Sequence, residues 1–496
     1  MSSALMRGAG VLMPISSLPS PYGIGTLGKE AYRFADWLSN AGQKYWQVLP
    51  VSPTSFGDSP YQSFSAFAGN PYFIDLDILA DEGLISSSDM TGIKWDDEPD
   101  KINYSYLFEN RAGILKKAYA ASNHKNTEEY RRFCNENEFW LSDYSFFMAL
   151  KEHFDNRSWT EWDEDIRFRR HEACEKYRQL LASEIDFWKF CQFKFFEQWQ
   201  KLKKYVNEKG IHIIGDIPLY VSLDSADVWA NERLFELDEK KCPTCVAGVP
   251  PDCFSEEGQL WGNPIYNWRQ MEAENFYWWR KRMSSCSSLY DVIRIDHFIG
   301  IVRYYAIPAE SANAKVGEWR TGPGEKLTRV IEETVGNASI IAEDLGVIIP
   351  PVRELIEKMG WPGMKIYEFA FDGQAYNEYL PHNYKNSCCV LYAGTHDNDT
   401  IMGFMDSVQD YQRDQILEYL DADKVSDVPK KMIRSGYASI AVTVIIQMQD
   451  ILELDTSARI NTPATLGGNW CWRMKKEQLK DEDAHRLAKM VRAYGR

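Results

Sequence analysis

Short runs of apolar, mostly β-branched residues recur along the chain, and each is followed by polar residues, glycine or proline. Runs of this length and composition predict β-strands. The eight runs are GVLMPIS near residue 10, YWQVLPV near 45, IHIIGDIP near 211, DVIRIDHF near 291, ASIIAEDLG near 338, GMKIYEFAF near 363, CCVLYAGTHDND near 388 and SARINTPA near 457. A further run, IAVTVIIQM from Ile440, is too short for a bilayer span and is interpreted as a buried helix.

Segments with helical periodicity separate most of the predicted strands. They include KEAYRFADWLSNAG after the first strand, PVRELIEKMG after the fifth and DQILEYLDAD after the seventh. Eight strands that alternate with helices favour a parallel sheet that closes on itself. The predicted fold is therefore α/β, a (β/α)8 TIM barrel with large inserted subdomains in its loops.

The length of the chain requires these insertions. A plain barrel needs about 250 residues, whereas this chain has 496. We predict a mainly helical insertion at 76–205, between the second and third strands, which contains DFWKFCQFKFFEQWQKLKKYV. A second insertion, at 222–285, contains CPTCVAGVPPDCFSEEGQLWGNPIYNW and a loop at about 245–266. Because no linker divides the chain, residues 1–496 are expected to form a single barrel domain.

Charged side chains occur where four of the predicted strands end. In VIRIDHFIG, Arg294 and Asp296 have the same parity, so both side chains are expected to point into the barrel. Asp216, Glu343 and Asp397 follow three other strands in a similar way. One such carboxylate could be a helix cap, but four together predict a functional site. Barrel enzymes place their chemistry at this C-terminal mouth.

Several carboxylates around one mouth suit glycosidic chemistry, with one as nucleophile or base and one as an acid of raised pKa. Arg294 and His396 are donors that could hold sugar hydroxyls and keep Asp296 ionised. The 17 Trp, 27 Tyr and 24 Phe residues also allow a cleft lined by flat rings. A metal-dependent hydrolase is the alternative for clustered acidic residues.

Composition excludes some classes of partner. The 56 basic and 72 acidic residues give a formal net charge of −16, so neither nucleic acid nor an anionic membrane is an expected partner. The N-terminal segment lacks a clean apolar signal region, and ten cysteines in so long a chain do not form a disulfide scaffold. A cytoplasmic protein is predicted, or one of the plastid stroma if a transit peptide has been removed.

Three weaker motifs do not change this interpretation. GIGTLG matches a dinucleotide fingerprint, but it does not follow a strand directly and lacks the expected acidic residue. DNDTIMG, from Asp397, has Met402 and Val408 at the sixth and twelfth positions, where an EF-hand requires glycine and glutamate. Cys242 and Cys245, with Cys253 nearby, lack a second pair for zinc and are interpreted as loop thiols. No cofactor and no metal are therefore expected.

Longer segments resemble a known family. They are SSLPSPYGIGTLG, DSPYQSFSAFAGNPYFIDL, GDIPLYVSLDSADVW, GVPPDCFSEEGQLWGNPIYNW, RIDHF, GEWRTGPG, IIAEDLG, GMKI, GTHDNDT and, near the end, NWCWR. Through them the chain resembles, over essentially its whole length, the amylomaltases or disproportionating enzymes. These are the 4-α-glucanotransferases of glycoside hydrolase family 77, which are related to the α-amylases. The resemblance implies transfer of an α-1,4-glucan segment to the 4-hydroxyl of glucose or another glucan, with cyclic glucans where the transfer is intramolecular.

The resemblance also implies roles for individual residues. Asp296 resembles the nucleophile, Glu343 the general acid/base and Asp397 the transition-state stabiliser, whereas Asp344 beside Glu343 is expected to be structural. Further positions match residues that hold substrate, namely Tyr61, Asp216, Arg294 and His396 on the donor side and Phe254, Gln259, Trp261 and Asn263 in a loop on the acceptor side.

Three hypotheses follow for the activity. In the first, the acceptor-side loop excludes water, so that a sugar hydroxyl attacks a glucosyl-enzyme and the α-configuration is retained. In the second, the same carboxylates hydrolyse α-1,4-glucans. In the third, the protein binds glucans without turnover, which the presence of Asp296, Glu343 and Asp397 disfavours.

Overall fold

Eight parallel strands form a barrel in the computed structural model, which describes residues 4–251, 255–346 and 348–496. The strands, in chain order, are β1 (Gly8–Leu12), β2 (Tyr45–Gln47), β3 (His212–Ile217), β4 (Cys245–Val249), β5 (Gln259–Pro264), β6 (Val292–Ile295), β7 (Arg303–Pro308), β8 (Glu318–Thr321), β9 (Ser339–Ala342), β10 (Gly363–Ile366), β11 (Cys389–Tyr392) and β12 (Thr443–Gln447). Around the barrel the order is β1, β2, β3, β6, β9, β10, β11 and β12. The N–H of Ala342 donates to the carbonyl of Pro362 at 3.0 Å, which joins β9 to the start of β10 and closes the ring. The predicted (β/α)8 fold is confirmed.

Helices surround these strands and fill the long connections. In the described residues they are α1 (Lys29–Asn40), α2 (Leu76–Asp81), α3 (Ser87–Met90), α4 (Tyr104–Ala121), α5 (Glu128–Glu136), α6 (Glu138–His153), α7 (Glu164–Arg167), α8 (His171–Leu180), α9 (Ala182–Glu208), α10 (Ala226–Ala230), α11 (Trp268–Ala273), α12 (Tyr277–Leu289), α13 (Ile299–Val302), α14 (Glu325–Thr334), α15 (Pro350–Met359), α16 (Ile401–Ser407), α17 (Asp410–Leu420), α18 (Val428–Ala438), α19 (Met448–Ile451) and α20 (Asp481–Tyr494). The helices predicted after the first, fifth and seventh strands are α1, α15 and α17.

The connection between β2 and β3 is the longest and contains α2 to α9. Its last helix, α9, runs for 27 residues and buries one face of aromatic and aliphatic side chains, including Phe187, Phe190, Phe195 and Trp199. This face packs against α1 and α6, because a helix with an apolar stripe is stable only where the stripe is covered. The helix therefore connects the inserted helices to the wall of the barrel.

The eighth strand of the barrel lies in a different segment from the one predicted. The run that starts at Ile440 was interpreted as a helix, but its residues 443–447 form β12, paired with β1 and β11. Thr443, Val444, Ile445 and Ile446 are β-branched and buried, which favours a strand covered on both faces. SARINTPA, the predicted eighth strand, instead begins in a short 3-10 helix, Thr456–Ala458, and continues as a loop.

A second, antiparallel sheet lies outside the barrel. Its strand order is β5, β4, β7 and β8, and it connects the segment after β3 with the segment after β6. Cys245 begins β4 and Cys242 is exposed just before it, while Cys253 lies outside the described residues. In the described segments, no helix combines the length and the apolar character needed to span a bilayer.

Candidate active site

Arg294 lies at the centre of the predicted carboxylates. It is buried in β6, directly opposite Asp216 of β3 in the parallel register. Its Nη1 lies 2.7 and 2.6 Å from the two carboxylate oxygens of Asp216. Nη1 also lies 3.3 Å from Asp296 Oδ1, and Nη2 lies 3.4 Å from Glu343 Oε2. One guanidinium therefore contacts three of the four carboxylates, and its fixed charge offsets part of their mutual repulsion.

The parallel register explains why Asp296 and Glu343 meet. Ile295 at the end of β6 is level with Ala342 at the end of β9, so the next residue of each strand emerges at the same edge. The N–H of Glu343 donates to the carbonyl of Ile295 at 3.1 Å, which continues the ladder beyond both strands. Residues so far apart in sequence are therefore held side by side at the mouth of the barrel.

Asp296 and Glu343 share a hydrogen bond between their carboxyl groups. They are therefore closer than the roughly 6.5–9.5 Å that an inverting pair needs to admit water. Burial and the charge of Glu343 raise the pKa of Asp296 well above its usual range. Burial also opposes ionisation of Glu343, but Arg294 and the N–H of His297 lower the pKa of Glu343. Within this pair, Asp296 therefore holds a proton more tightly than Glu343.

His297 is a neighbour that the sequence reasoning missed. Its backbone is left-handed, with φ of 51°, a conformation that costs free energy for a residue other than glycine. This turn aims its N–H at Glu343 Oε2, 2.5 Å away. The ring meets Trp261 edge-on at 4.7 Å, and its buried Nε2 has no partner among the described residues. The only signal in the sequence was its place next to Asp296.

Asp397 approaches the pair from the loop after β11. Its carboxylate Oδ1 accepts a hydrogen bond from Asn461 Nδ2 at 2.6 Å, and His396 Nε2 lies 3.5 Å from the same oxygen. Arg459 Nη2 donates to the main-chain carbonyl of Asp397 at 2.7 Å. Asn461 and Arg459 belong to the segment that was wrongly predicted as a strand, so neither was recognised as part of the site. The Asp397 side chain remains 43% exposed and is open to the mouth.

Three rings form one wall beside these carboxylates. Tyr61 is stacked on His396, with ring centroids 5.1 Å apart and planes at 16°, and Trp470 lies 5.7 Å from Tyr61. The hydroxyl of Tyr61 donates to Asp216 Oδ2 at 3.0 Å. Burial and Asp216 raise the pKa of Tyr61 well above its usual range, so this hydroxyl stays protonated. Trp470 occurs in the motif NWCWR but was given no role from the sequence.

Strand β5 carries three of the four predicted acceptor-side residues. Trp261 reaches His297 and donates its Nε1–H to Gln259 Oε1 at 3.1 Å. Asn263 is buried and its side chain is already bonded, since Oδ1 accepts from Gln62 at 3.1 Å and Nδ2 donates to Val221 at 2.9 Å. Asn263 therefore fastens β5 to the segment that carries Tyr61. The fourth residue, Phe254, lies outside the described residues.

The positive charge within this cluster comes from Arg294. Across the described residues, no group of three His, Cys, Asp or Glu side chains is arranged to hold a metal ion. Asp296 and Glu343 are instead bridged by the guanidinium and by the hydrogen bond between their carboxyl groups. A charged pair of this kind at the end of barrel strands suits proton transfer and nucleophilic attack. Barrel enzymes that break glycosidic bonds combine such a pair with aromatic walls, and the fold and site place the protein in that class.

Comparison with known proteins defines the family within that class. Residues 13–479 match the family described as 4-alpha-glucanotransferase. A 4-alpha-glucanotransferase of Clostridium butyricum is 48% identical over 98% of this chain and 100% of its own length. The amylomaltase of Streptococcus agalactiae, solved in complex with acarbose, is 44% identical and covers 99% of both chains with a TM-score of 0.96. The chain therefore belongs to the 4-alpha-glucanotransferase family.

Membership of this family decides between two of the hypotheses drawn from the sequence. The protein is a glycosyltransferase that acts on α-1,4-glucans, and the hydrolase alternative is not favoured. The related enzyme of Streptococcus pneumoniae, 45% identical over 99% of this chain and 97% of its own, carries the same description.

Proposed function

We propose that the protein disproportionates α-1,4-glucans by a retaining double displacement in which Asp296 is the nucleophile and Glu343 the acid/base. The hydrogen-bonded pair of these two carboxyl groups beside Arg294 supports this assignment. A retaining pair lies about 5–5.5 Å apart, far closer than an inverting pair. Two carboxyl groups that contact the same guanidinium fit the closer arrangement.

The first step begins with transfer of the proton of the pair from Asp296, which holds it more tightly, across their hydrogen bond to Glu343. Glu343 donates this proton to the glycosidic oxygen as the bond from that oxygen to the anomeric carbon breaks. Asp296, ionised by that transfer, bonds through one of its oxygens to the anomeric carbon to form the glycosyl-enzyme. Arg294, 3.3 Å from Asp296, stabilises the carboxylate before it attacks.

In the second step the acceptor replaces the leaving group. Its 4-hydroxyl gives a proton to Glu343 while its oxygen bonds to the anomeric carbon and the bond to Asp296 breaks. Two inversions retain the α-configuration, so one α-1,4 bond is exchanged for another. Glu343 is protonated again at the end, and the cycle needs no cofactor.

We assign binding of the donor sugar to Asp397 and to the rings of Tyr61, His396 and Trp470. The exposed carboxylate of Asp397 is held by Asn461 at 2.6 Å, so it is oriented before substrate arrives and can stabilise positive charge on the ring. Tyr61, stacked on His396, offers a flat face to the glucose unit. His396 Nδ1 is buried without a partner among the described residues and is available to a sugar hydroxyl.

The insertion at 222–285 is assigned to the acceptor side. Its strand β5 places Trp261 against His297, next to the nucleophile. A ring in this position would exclude water and offer a platform to an incoming sugar. On this basis glucose and longer glucans serve as acceptors, and the far end of a long donor would give a cyclic glucan.

Chromatography of the products from maltotriose tests this function. We expect glucose together with a ladder of longer maltooligosaccharides, with little net gain in reducing ends. Glucose and maltose without longer products would mean that water reaches the intermediate, and would overturn the proposal. Asp296→Asn serves as the control and is expected to form neither set of products.

A further inference from the structure

A second cleft lies away from the barrel mouth, between the start of α6 and the start of α12. It is a shallow, open cleft in which about 100 Å³ is enclosed. Its lining includes five aromatic rings, those of Phe67, Phe139, Trp140, Tyr277 and Trp278. None of the side chains assigned above to catalysis or to the donor and acceptor sugars lines this cleft.

Two of these rings remain accessible to solvent. Tyr277 is 57% exposed and Phe139 is 38% exposed, although both lie on helices with a buried apolar face. Beneath them Phe67 packs edge-on against Phe139 at 5.5 Å and against Trp278 at 5.8 Å. The exposed rings therefore lie on a packed layer of aromatic side chains.

Polar groups surround these rings. The ammonium of Lys281 lies 4.8 Å from the centre of the Phe139 ring and 5.5 Å from that of Tyr277. No ion pair found in the described part of the chain includes Lys281, so its donors are available to a ligand. At the rim Arg233 makes two hydrogen bonds to Glu274, at 2.8 and 3.2 Å. At the floor the buried carboxylate of Asp227 accepts from the N–H of Ala66 at 2.7 Å.

The charges of this cleft favour a neutral ligand. Its lining contains three acidic residues, Asp143, Asp227 and Glu274, and two basic ones, Arg233 and Lys281. A phosphate or another anion would therefore meet no excess of positive charge. Glucose units have apolar faces for aromatic rings and hydroxyls that both donate and accept hydrogen bonds. The combination of exposed rings, an ammonium and carboxylates matches that chemistry.

The cleft is also connected to the active site through one segment. Ser65 and Phe67 line it, and they also line the cavity that contains Tyr61 and Asp216. We infer that the cleft is a second binding site for α-1,4-glucans, which holds a long glucan while one of its ends reacts at the barrel mouth. This inference rests on the proposed function, because it takes the donor substrate as its ligand.

Affinity electrophoresis in gels that contain glycogen tests the second site, with Tyr277→Ala and Phe139→Ala compared with the wild type. Loss of one stacking ring is expected to weaken retardation by glycogen about three- to tenfold. Tyr277→Trp keeps a ring and is expected to restore retardation. Tyr411→Ala is the matched control, since Tyr411 is 58% exposed but lies outside this cleft.

Disproportionation of maltotriose by the same variants separates the two proposals. A substrate of three units is expected to react at the wild-type rate in Tyr277→Ala, because it is too short to need the second cleft. Retardation of Tyr277→Ala and Phe139→Ala equal to that of Tyr411→Ala would overturn the second site and leave the proposed function intact. Failure of the wild type to extend maltotriose would instead overturn the proposed function.

Discussion

Arg294 lies among carboxylates that would otherwise repel one another. Asp216, Asp296 and Glu343 surround it, and three ionised carboxylates would exceed its single charge. A proton retained by the Asp296–Glu343 pair reduces that excess. The buried ion pair between Arg294 and Asp216 thus holds the guanidinium where it also contacts Asp296 and Glu343.

Glu343→Gln tests the division of roles within the pair. A glutamine cannot donate or accept the proton, so turnover of maltotriose is expected to fall by about 10²- to 10⁴-fold. An activated donor such as maltosyl fluoride needs no acid to leave, and its sugar should therefore accumulate on Asp296. Intact-protein mass spectrometry should detect the adduct, and peptide mapping should locate it.

Two controls accompany Glu343→Gln. The neighbouring variant Asp344→Asn should keep its activity, because Asp344 accepts the N–H of Met364 at 2.7 Å, which an asparagine oxygen can also do. The double variant Asp296→Asn/Glu343→Gln should form no adduct. An adduct on any other residue would refute the assignment of Asp296.

Asp450 links protonation to stability. It is buried in α19, where Oδ1 accepts the N–H of Ile401 at 2.7 Å and Oδ2 has no partner within the described residues. Burial raises the pKa of Asp450 to about 7. Because the folded pKa lies above the unfolded value, this group favours folding at low pH, and its contribution is lost as the pH rises through the folded pKa.

Asp450→Asn should therefore gain stability relative to the wild type as the pH rises. Between about pH 4 and about pH 8 the gain should approach 4 kcal/mol, since each pKa unit is worth about 1.4 kcal/mol. Denaturant unfolding at both pH values measures it. Asp410→Asn, at an exposed position, is the control, and a difference for Asp450→Asn that does not change with pH would contradict the argument.

At the scale of elements, β12 closes the barrel between its first and seventh strands. Ile445 is level with Gly10 of β1 and Tyr392 of β11. A side chain at Gly10 would approach Ile445 Cδ1 to 2.8 Å, so the glycine makes room for the isoleucine. Close packing of this kind depends on both strands, which no single segment of sequence contains.

Ile445→Ala should destabilise the protein by about 2–5 kcal/mol, because it leaves a cavity in a buried strand. Ile440→Ala, in the same apolar run but 48% exposed, should change the stability by less than about 0.5 kcal/mol. Chemical denaturation of the two variants measures the difference. Equal losses would contradict the assignment of residues 443–447 as the buried strand.

At the scale of the whole molecule, Arg496 connects the first strand to the last helices. It follows α20 and is buried among main-chain carbonyl groups. Its guanidinium donates to the carbonyls of Gly8, Gly436, Tyr437, Ser439 and Ala441. These groups come from opposite ends of the chain, so one side chain holds together segments that no local interaction would join.

Arg496→Met should lower the free energy of unfolding by about 3–5 kcal/mol, since several buried carbonyls would lose their donors. Arg492→Met, on the exposed face of α20, is the matched control and should have little effect. Urea unfolding monitored by tryptophan fluorescence measures both. A loss for Arg496→Met no larger than for Arg492→Met would show that the carbonyls find other partners.

Much of the site could be predicted from the sequence because its residues follow parallel strands directly. Asp216, Asp296 and Glu343 each occur within or just after an apolar run, and such strands end at the same edge of a barrel.

The cytoplasmic location and the acceptor role of glucose stay predictions. The identity of the eighth strand was wrong, because a short apolar run can be buried equally well as a helix or a strand.

The sequence by itself therefore determined the barrel, the carboxylates and Arg294, because strand periodicity and strand ends are local properties of the chain. Only the tertiary structure brought Asn461 to Asp397 across 64 residues and stacked Tyr61 on His396. It alone turned the N–H of His297 towards Glu343 and left the rings of the second cleft exposed. These contacts depend on how distant segments pack, and no periodicity in one segment specifies its partner.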